Sequence, residues 1–233
     1  MQIDGKRILL TGGSSGIGLE AARALTAKGA RLCITGRRAE ALEAAAAELG
    51  CAYAVADVGT PEGVAATVAA AQAALGGIDV LINNAGIGEF ERVEDVTWQM
   101  LQEVFAVNVF GPAMLAAAVV PGMKAQGQGT IINIASTSSQ RGFALGSVYG
   151  SSKFALRGMT QCWQEELRRF NIRVCQINPS EVTTAFHQPG RRQRPAQPHK
   201  LRPQEIAHTI VAVLELDDRA FVPEVSVWAT NPF

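Results

Sequence analysis

Short apolar runs alternate with longer alanine-rich stretches along this chain. The runs fall at residues 7–10, 30–35, 52–56, 80–82, 129–135, 173–177 and 220–222. The first, second, fourth, fifth and sixth are nearly uninterrupted by polar residues, as in strands covered on both faces. Between them, residues 39–49, 61–75 and 98–123 are long enough for helices that carry right-handed crossovers between parallel strands. The pattern predicts one α/β domain over residues 1–233, with a doubly wound parallel sheet flanked by helices on both faces. In such sheets a ligand lies beyond the carboxyl ends of the strands, which here carry Thr11, Thr35, Asp57, Asn83, Ser136 and Asn178.

Candidate chemistry gathers at that edge. Thr11-Gly12-Gly13-Ser14-Ser15-Gly16-Ile17-Gly18 joins the first run to a helical stretch at residues 19–28. Glycines let the backbone approach a ligand, and the free N–H groups of a helix start attract phosphate. Far downstream, Tyr149-Gly150-Ser151-Ser152-Lys153 opens a second helical stretch whose spacing of four puts the phenol and the ammonium on one face. A cation held there lowers the phenol pKa from its usual ~10 and makes proton exchange accessible at neutral pH. Ser136 ends the run Thr130-Ile131-Ile132-Asn133-Ile134-Ala135, where its hydroxyl can polarise a carbonyl. Asn108, amid Phe105, Val107, Val109 and Phe110, needs an internal partner, and Asn83-Asn84-Ala85-Gly86 forms a second glycine-containing turn.

Composition narrows the partners. Lys+Arg and Asp+Glu are balanced at 21 each, so no whole-chain field recruits nucleic acid or an anionic membrane. The most apolar stretch, residues 114–120, is expected to stop at Pro121, short of the ~20 residues a spanning helix needs. The start shows no apolar core followed by a small-residue cleavage site, which predicts a soluble, cytoplasmic protein without a signal peptide. Cys33, Cys51, Cys162 and Cys175 form no C-x-x-C pair and are expected to be ordinary buried thiols, with no metal site. One segment, residues 184–203, breaks the α/β pattern. It gathers Pro189, Pro195, Pro198 and Pro203 with Arg191, Arg192, Arg194, Lys200 and Arg202, and reads either as a substrate loop or as a solvated excursion.

Taken in this order, the motifs resemble those of the short-chain dehydrogenase/reductase family, over nearly the whole chain. Thr11-Gly12-x-x-x-Gly16-x-Gly18 matches its cofactor glycine motif, Asn83-Asn84-Ala85-Gly86 its NNAG motif, and Asn108, Ser136, Tyr149 and Lys153 its catalytic tetrad. The glycine spacing separates the chain from the family's extended branch. The resemblance implies a Rossmann-type fold and hydride transfer between nicotinamide C4 and a carbonyl or secondary alcohol, with Tyr149 exchanging the proton. It also implies that Lys153 holds the nicotinamide ribose, Ser136 orients the carbonyl and Asn108 supports a water relay. Ser14, Ser15 and Ile17 would join the glycines around the phosphates, with Asn84, Ala85 and Gly86 opposite and Asp57 and Val58 at the adenine. Where the family has Pro-Gly, this chain has Pro179-Ser180; beyond it, Val182 and Thr184 are the implied nicotinamide contacts.

The second strand ends in Gly36-Arg37-Arg38 rather than in a carboxylate for a ribose 2′-hydroxyl. This favours NADP(H), with Arg37 the main selector, Arg38 a lesser neighbour and NAD(H) a second option. The basic loop suggests an anionic handle and a 3-oxoacyl substrate, with a broad carbonyl reductase or a 3-hydroxy acid dehydrogenase as the runner-up. A nicotinamide-binding sensor without turnover is the alternative from another class. The apolar helices at residues 98–123 and 151–170 suggest a homodimer or homotetramer, and the tail at residues 225–233, ending in Phe233, reads either as docking on a neighbouring subunit or as closing the protein's own core.

Overall fold

A computed structural model of the chain describes residues 1–186, 197 and 199–232. It contains seven parallel strands: β1 Arg7–Thr11, β2 Arg31–Gly36, β3 Ala52–Val55, β4 Val80–Asn83, β5 Gly129–Ile134, β6 Ile172–Pro179 and β7 Glu224–Val227. Their order is β3-β2-β1-β4-β5-β6-β7, so the chain reverses its winding between β1 and β4. Adjacent strand ends diverge at that point, and a ligand crevice opens.

Strand alternation divides the core. Ile8, Leu10, Ile34, Val80, Ile82, Ile132 and Ile177 face one side, where they meet helices α1 (Gly16–Ala27) and α7 (Pro203–Glu215) through Leu25, Ile206, Ile210 and Leu214. Leu9, Cys33, Leu81, Ile131 and Val174 face the other. There they pack on α3 (Pro61–Leu75) and α5 (Gly111–Gln126) through Val64, Val68, Leu115, Val119 and Met123. Each fully buried Leu or Ile contributes about 1.5–3 kcal/mol relative to exposure. Register keeps the two sets apart, because sliding any strand by one residue would exchange its faces. Helices α2 (Ala39–Leu49), α4 (Trp98–Phe105) and α6 (Ser147–Leu167) complete the layers.

Four expectations from the sequence need correction. The last strand is Glu224–Val227, not residues 220–222. Its Glu-Val-Ser-Val alternation hides it from a search for apolar runs, and the carboxylate of Glu224 is satisfied by Arg157 at 3.1 Å, Asn178 at 2.8 Å and Gln140 at 2.7 Å. Pro121 does not end its helix, which continues to Gln126. Proline removes one donor, but both Pro121 and the Ala117 residue one turn earlier are exposed, so the freed carbonyl can be hydrated. The helical run Trp98–Gln126 is consequently 29 residues long, apolar enough by length and composition to cross a membrane, with half of its most apolar window buried in this fold. Cys162 is exposed on the outer face of α6, whereas Cys33 and Cys175 are buried.

The fourth correction concerns the single helix expected at residues 98–123. Between α4 and α5 the backbone forms a π turn, Ala106–Phe110. The extra residue in such a turn shifts side-chain direction locally, and Asn108 at its centre is 1% exposed.

Candidate active site

The glycine turn between β1 and α1 is built by close backbone approach. Gly12 and Gly16 have φ of +70° and +55°, in the left-handed region that favours glycine. A Cβ on Gly18 would lie 2.1 Å from the Gly12 carbonyl oxygen and 2.5 Å from Asn84 Nδ2, so helix and turn meet only because that side chain is missing. Thr11 Oγ1 accepts from the N–H groups of Asn84 and Ala85 at 3.0 and 2.9 Å. Asn84 Nδ2 donates to the Thr11 carbonyl at 2.9 Å, fastening the two glycine-containing turns together.

Above them runs a cleft of about 550 Å³. All the sequence-predicted cofactor residues line it except Gly18, whose role is to pack the turn from behind. Ser136, Tyr149 and Lys153 line it as well, while Asn108 stands behind the wall. Its amide oxygen accepts from the Ile87 N–H at 3.0 Å, and its amide nitrogen donates to the Ile87 carbonyl at 2.8 Å and to Ser152 Oγ at 3.0 Å. These are the internal partners its burial requires, and they fix the loop after β4 onto α6.

Arg37 and Arg38 stand at the far end of the cleft. Arg37 is 3.5 Å from Asp57, a partly exposed pair of small energetic value. Arg38 donates to Ser15 Oγ of the glycine turn at 3.1 Å. Pro179 is the last residue of β6, and the Ser180 N–H that follows donates to the Val227 carbonyl at 2.9 Å. Val182 is bridged to Leu201, and the Thr184 side chain lies beside Gly16. Arg191, Arg192, Arg194 and Phe233 lie outside the described residues. Lys200 and Arg202, from the same basic cluster, are paired with Glu181 at 2.7 Å and Glu205 at 2.6 Å.

The electrostatics differ from expectation. Tyr149 is buried, and desolvation pushes its phenol up to about 12, opposed by a hydrogen bond with Ser136. Lys153 does not depress it here. Its ammonium lies 5.7 Å from the Tyr149 ring centroid and donates to the Ile134 carbonyl at 3.0 Å. Lys153 is 4% exposed and has no ion pair among the described residues, and burial lowers its pKa to about 8. Tyr149 is therefore neutral near pH 7, and Lys153 is a desolvated cation with donors to spare.

Three aromatic residues around Tyr149 escaped the sequence reading: Phe90 and Phe186, with ring centroids 5.3 and 5.7 Å from it, and Phe143, 6.1 Å from Phe90. Each comes from a different irregular segment, so no periodicity or spacing marks them.

The site's residues fit a nicotinamide dinucleotide. The cleft is floored by bare backbone at a helix start, and its wall holds a buried cation with no ion pair among the described residues. Comparison with known proteins agrees with this reading of the fold. Human retinol dehydrogenase 8 is 40% identical over 190 residues, which are 78% of this chain and 60% of that protein. The chain thus spans less than two thirds of that relative's length. The alcohol dehydrogenase from the archaeon Thermococcus sibiricus, solved with 5-hydroxy-NADP, superposes with a TM-score of 0.88 at 29% identity, covering 97% of each chain. The 3-ketoacyl-(acyl-carrier-protein) reductase from Brucella melitensis, complexed with NADH, shares the fold with a TM-score of 0.87 at 24% identity, covering 99% of this chain and 100% of that one. A family model described as short chain dehydrogenase matches residues 6–195, and the chain belongs to the short-chain dehydrogenase/reductase family.

Proposed function

We propose that the protein is an NADP(H)-dependent oxidoreductase that interconverts a carbonyl compound and its secondary alcohol. The observation that carries this reading is the meeting of Ser136, Tyr149 and Lys153 on the wall of the cleft that the glycine turn floors. A bound reduced nicotinamide supplies the hydride. The substrate carbonyl oxygen accepts from the Ser136 and Tyr149 hydroxyls, which are already hydrogen-bonded to each other. As the carbonyl π pair becomes an O–H bond, the Tyr149 O–H breaks and its proton moves to that oxygen. Ser136 stabilises the charge that develops there. Lys153 spends one donor on Ile134, leaving others for the ribose hydroxyls, and its charge favours the phenolate that remains. Asn108 holds the loop and α6 in register beside them.

Arg37 and Arg38 support the preference for NADP(H), since both line the adenosine end of the cleft. Arg38 donates to Ser15 of the glycine turn, and Arg37 remains the main selector in this reading. Changing either to Ala should raise the Kd for NADPH about 10- to 100-fold, the worth of one charge-assisted contact, with little change for NADH. Titrating both cofactors against each variant checks this, and an unaltered NADPH Kd would count against it.

For the substrate, the 3-oxoacyl reading rested on arginines outside the described residues and on two cations that are paired with Glu181 and Glu205. A broad carbonyl reductase and a 3-hydroxy acid dehydrogenase stand beside it as the other readings of the same site. The protein is further proposed to self-associate through α4, α5 and α6, where Trp98, Phe110, Met114 and Phe154 are all exposed. Light scattering should give at least twice the mass of 24.7 kDa, and Phe110→Arg with Met114→Arg should shift it toward that of one chain. A monomeric wild type would overturn the assignment.

A further inference from the structure

The segments after β4 and β6 each bring one phenylalanine against Tyr149, the segment after β5 brings Phe143 against Phe90, and the backbone is cut away to admit them. A Cβ on Gly88 would lie 2.9 Å from both Phe186 and Phe90 ring carbons, and one on Gly146 would lie 2.6 Å from the Phe143 ring. The segments after β4 and β5 are tied together by the Glu91 N–H, which donates to the Leu145 carbonyl at 3.1 Å. Leu145 holds φ at +67°, an unfavourable conformation for a side chain of its shape. Phe143 is 45% and Leu145 48% exposed. A second hollow of about 230 Å³ adjoins the cleft, shares Phe143 with it and includes Trp228, itself 52% exposed.

The charged groups along this track, Arg141, Glu181 and Lys200 in the outer hollow and Lys153 in the cleft, are engaged with partners of their own. Lys153 turns to Ile134, Glu181 is paired with Lys200, and Arg141 in the outer hollow lies over the Trp228 ring at 5.7 Å. Aromatic faces and edges at these separations reward a flat apolar group and offer a flexible polar chain little.

We infer that Phe90, Phe143 and Phe186 are specificity-determining residues that select a flat, apolar carbonyl compound, an aryl ketone or aromatic aldehyde, over an open-chain 3-oxoacyl thioester. This rests on the reductase reading of the same cleft. The ring of the substrate lies against the Phe90–Phe143 pair, whose own rings are 6.1 Å apart and tilted by 43°, with its carbonyl toward Tyr149, and longer members extend over Phe143 to Trp228.

The test compares an aryl methyl ketone, a straight-chain 2-alkanone of equal carbon number and a 3-oxoacyl thioester, by NADPH consumption and by equilibrium binding to the NADP-loaded protein. The aryl ketone should bind and turn over at least about tenfold better than the other two, as one good ring contact allows. Phe143→Ala and Phe90→Leu should each reduce that ratio toward one, while thermal melting checks that the variants fold. An aryl ketone that binds no better than the alkanone, a thioester that is preferred, or a ratio untouched in both variants overturns the inference. Failure to consume NADPH with any carbonyl would sink the reductase reading instead, and the binding ratio would still decide the aromatic selection.

Discussion

Tyr149→Phe is expected to lower kcat/KM for carbonyl reduction about 100- to 10,000-fold, the usual worth of a positioned general acid. The substitution keeps the ring contacts with Phe90 and Phe186 and removes only the hydroxyl that bonds Ser136. The cofactor Kd and the melting temperature should therefore change little, which separates a chemical defect from a folding one. The pH profile gives a second readout. Because burial pushes the phenol up to about 12, the proton needed for reduction stays in place through neutral and mildly alkaline pH. The reverse reaction needs the phenolate, so alcohol oxidation should climb about tenfold per pH unit below the operative pKa. Both the rate and that slope should disappear in Tyr149→Phe. A variant retaining more than a tenth of wild-type reduction would remove Tyr149 from the role of proton donor.

The site was legible in the sequence wherever its residues share one element or one tight turn. Glycine spacing from Gly12 to Gly18 encodes a strand–turn–helix joint, and the four-residue step from Tyr149 to Lys153 encodes one helix face. Asn108 was legible as a misplaced polar residue and through the resemblance of the tetrad, but the π turn that aims it inward leaves no trace in hydrophobic periodicity. The three phenylalanines were invisible for a related reason: Phe90, Phe143 and Phe186 converge from three irregular segments through tertiary packing. Most of the sheet was readable from continuous apolar runs, and β7 was not, since an edge strand anchored by Glu224 alternates polar with apolar. Electrostatics proved the least readable. A spacing of four correctly brings phenol and ammonium near each other, but burial rather than the neighbouring charge governs both groups in the protein without cofactor.

That burial makes Lys153 a group whose function opposes stability, and Lys153→Met tests the conflict. The drop of the ammonium pKa from 10.5 to about 8 corresponds to a destabilisation of about 3 kcal/mol at neutral pH. The sign follows from proton counts. Between pH 8 and 10.5 the unfolded chain keeps the Lys153 proton while the folded protein releases it, so stability rises with pH across that window. Above pH 10 Tyr149 acts the other way, because the folded phenol holds its proton up to about 12 while the unfolded one loses it. The wild type should thus gain stability from pH 7 to 10 and then lose it, apart from the effects of other groups. Methionine fills similar space without a charge, though it leaves the Ile134 carbonyl short of a donor, at a cost of about 1 kcal/mol. Lys153→Met should therefore be about 1–3 kcal/mol more stable than wild type at pH 7, a difference that shrinks by pH 10. It should also bind cofactor at least about tenfold more weakly, since the ribose loses its charged donor. Urea unfolding at pH 7 and pH 10 reads the first effect, and cofactor titration reads the second. A variant less stable than wild type at pH 7, with the difference unchanged at pH 10, would mean that the folded protein solvates this ammonium after all.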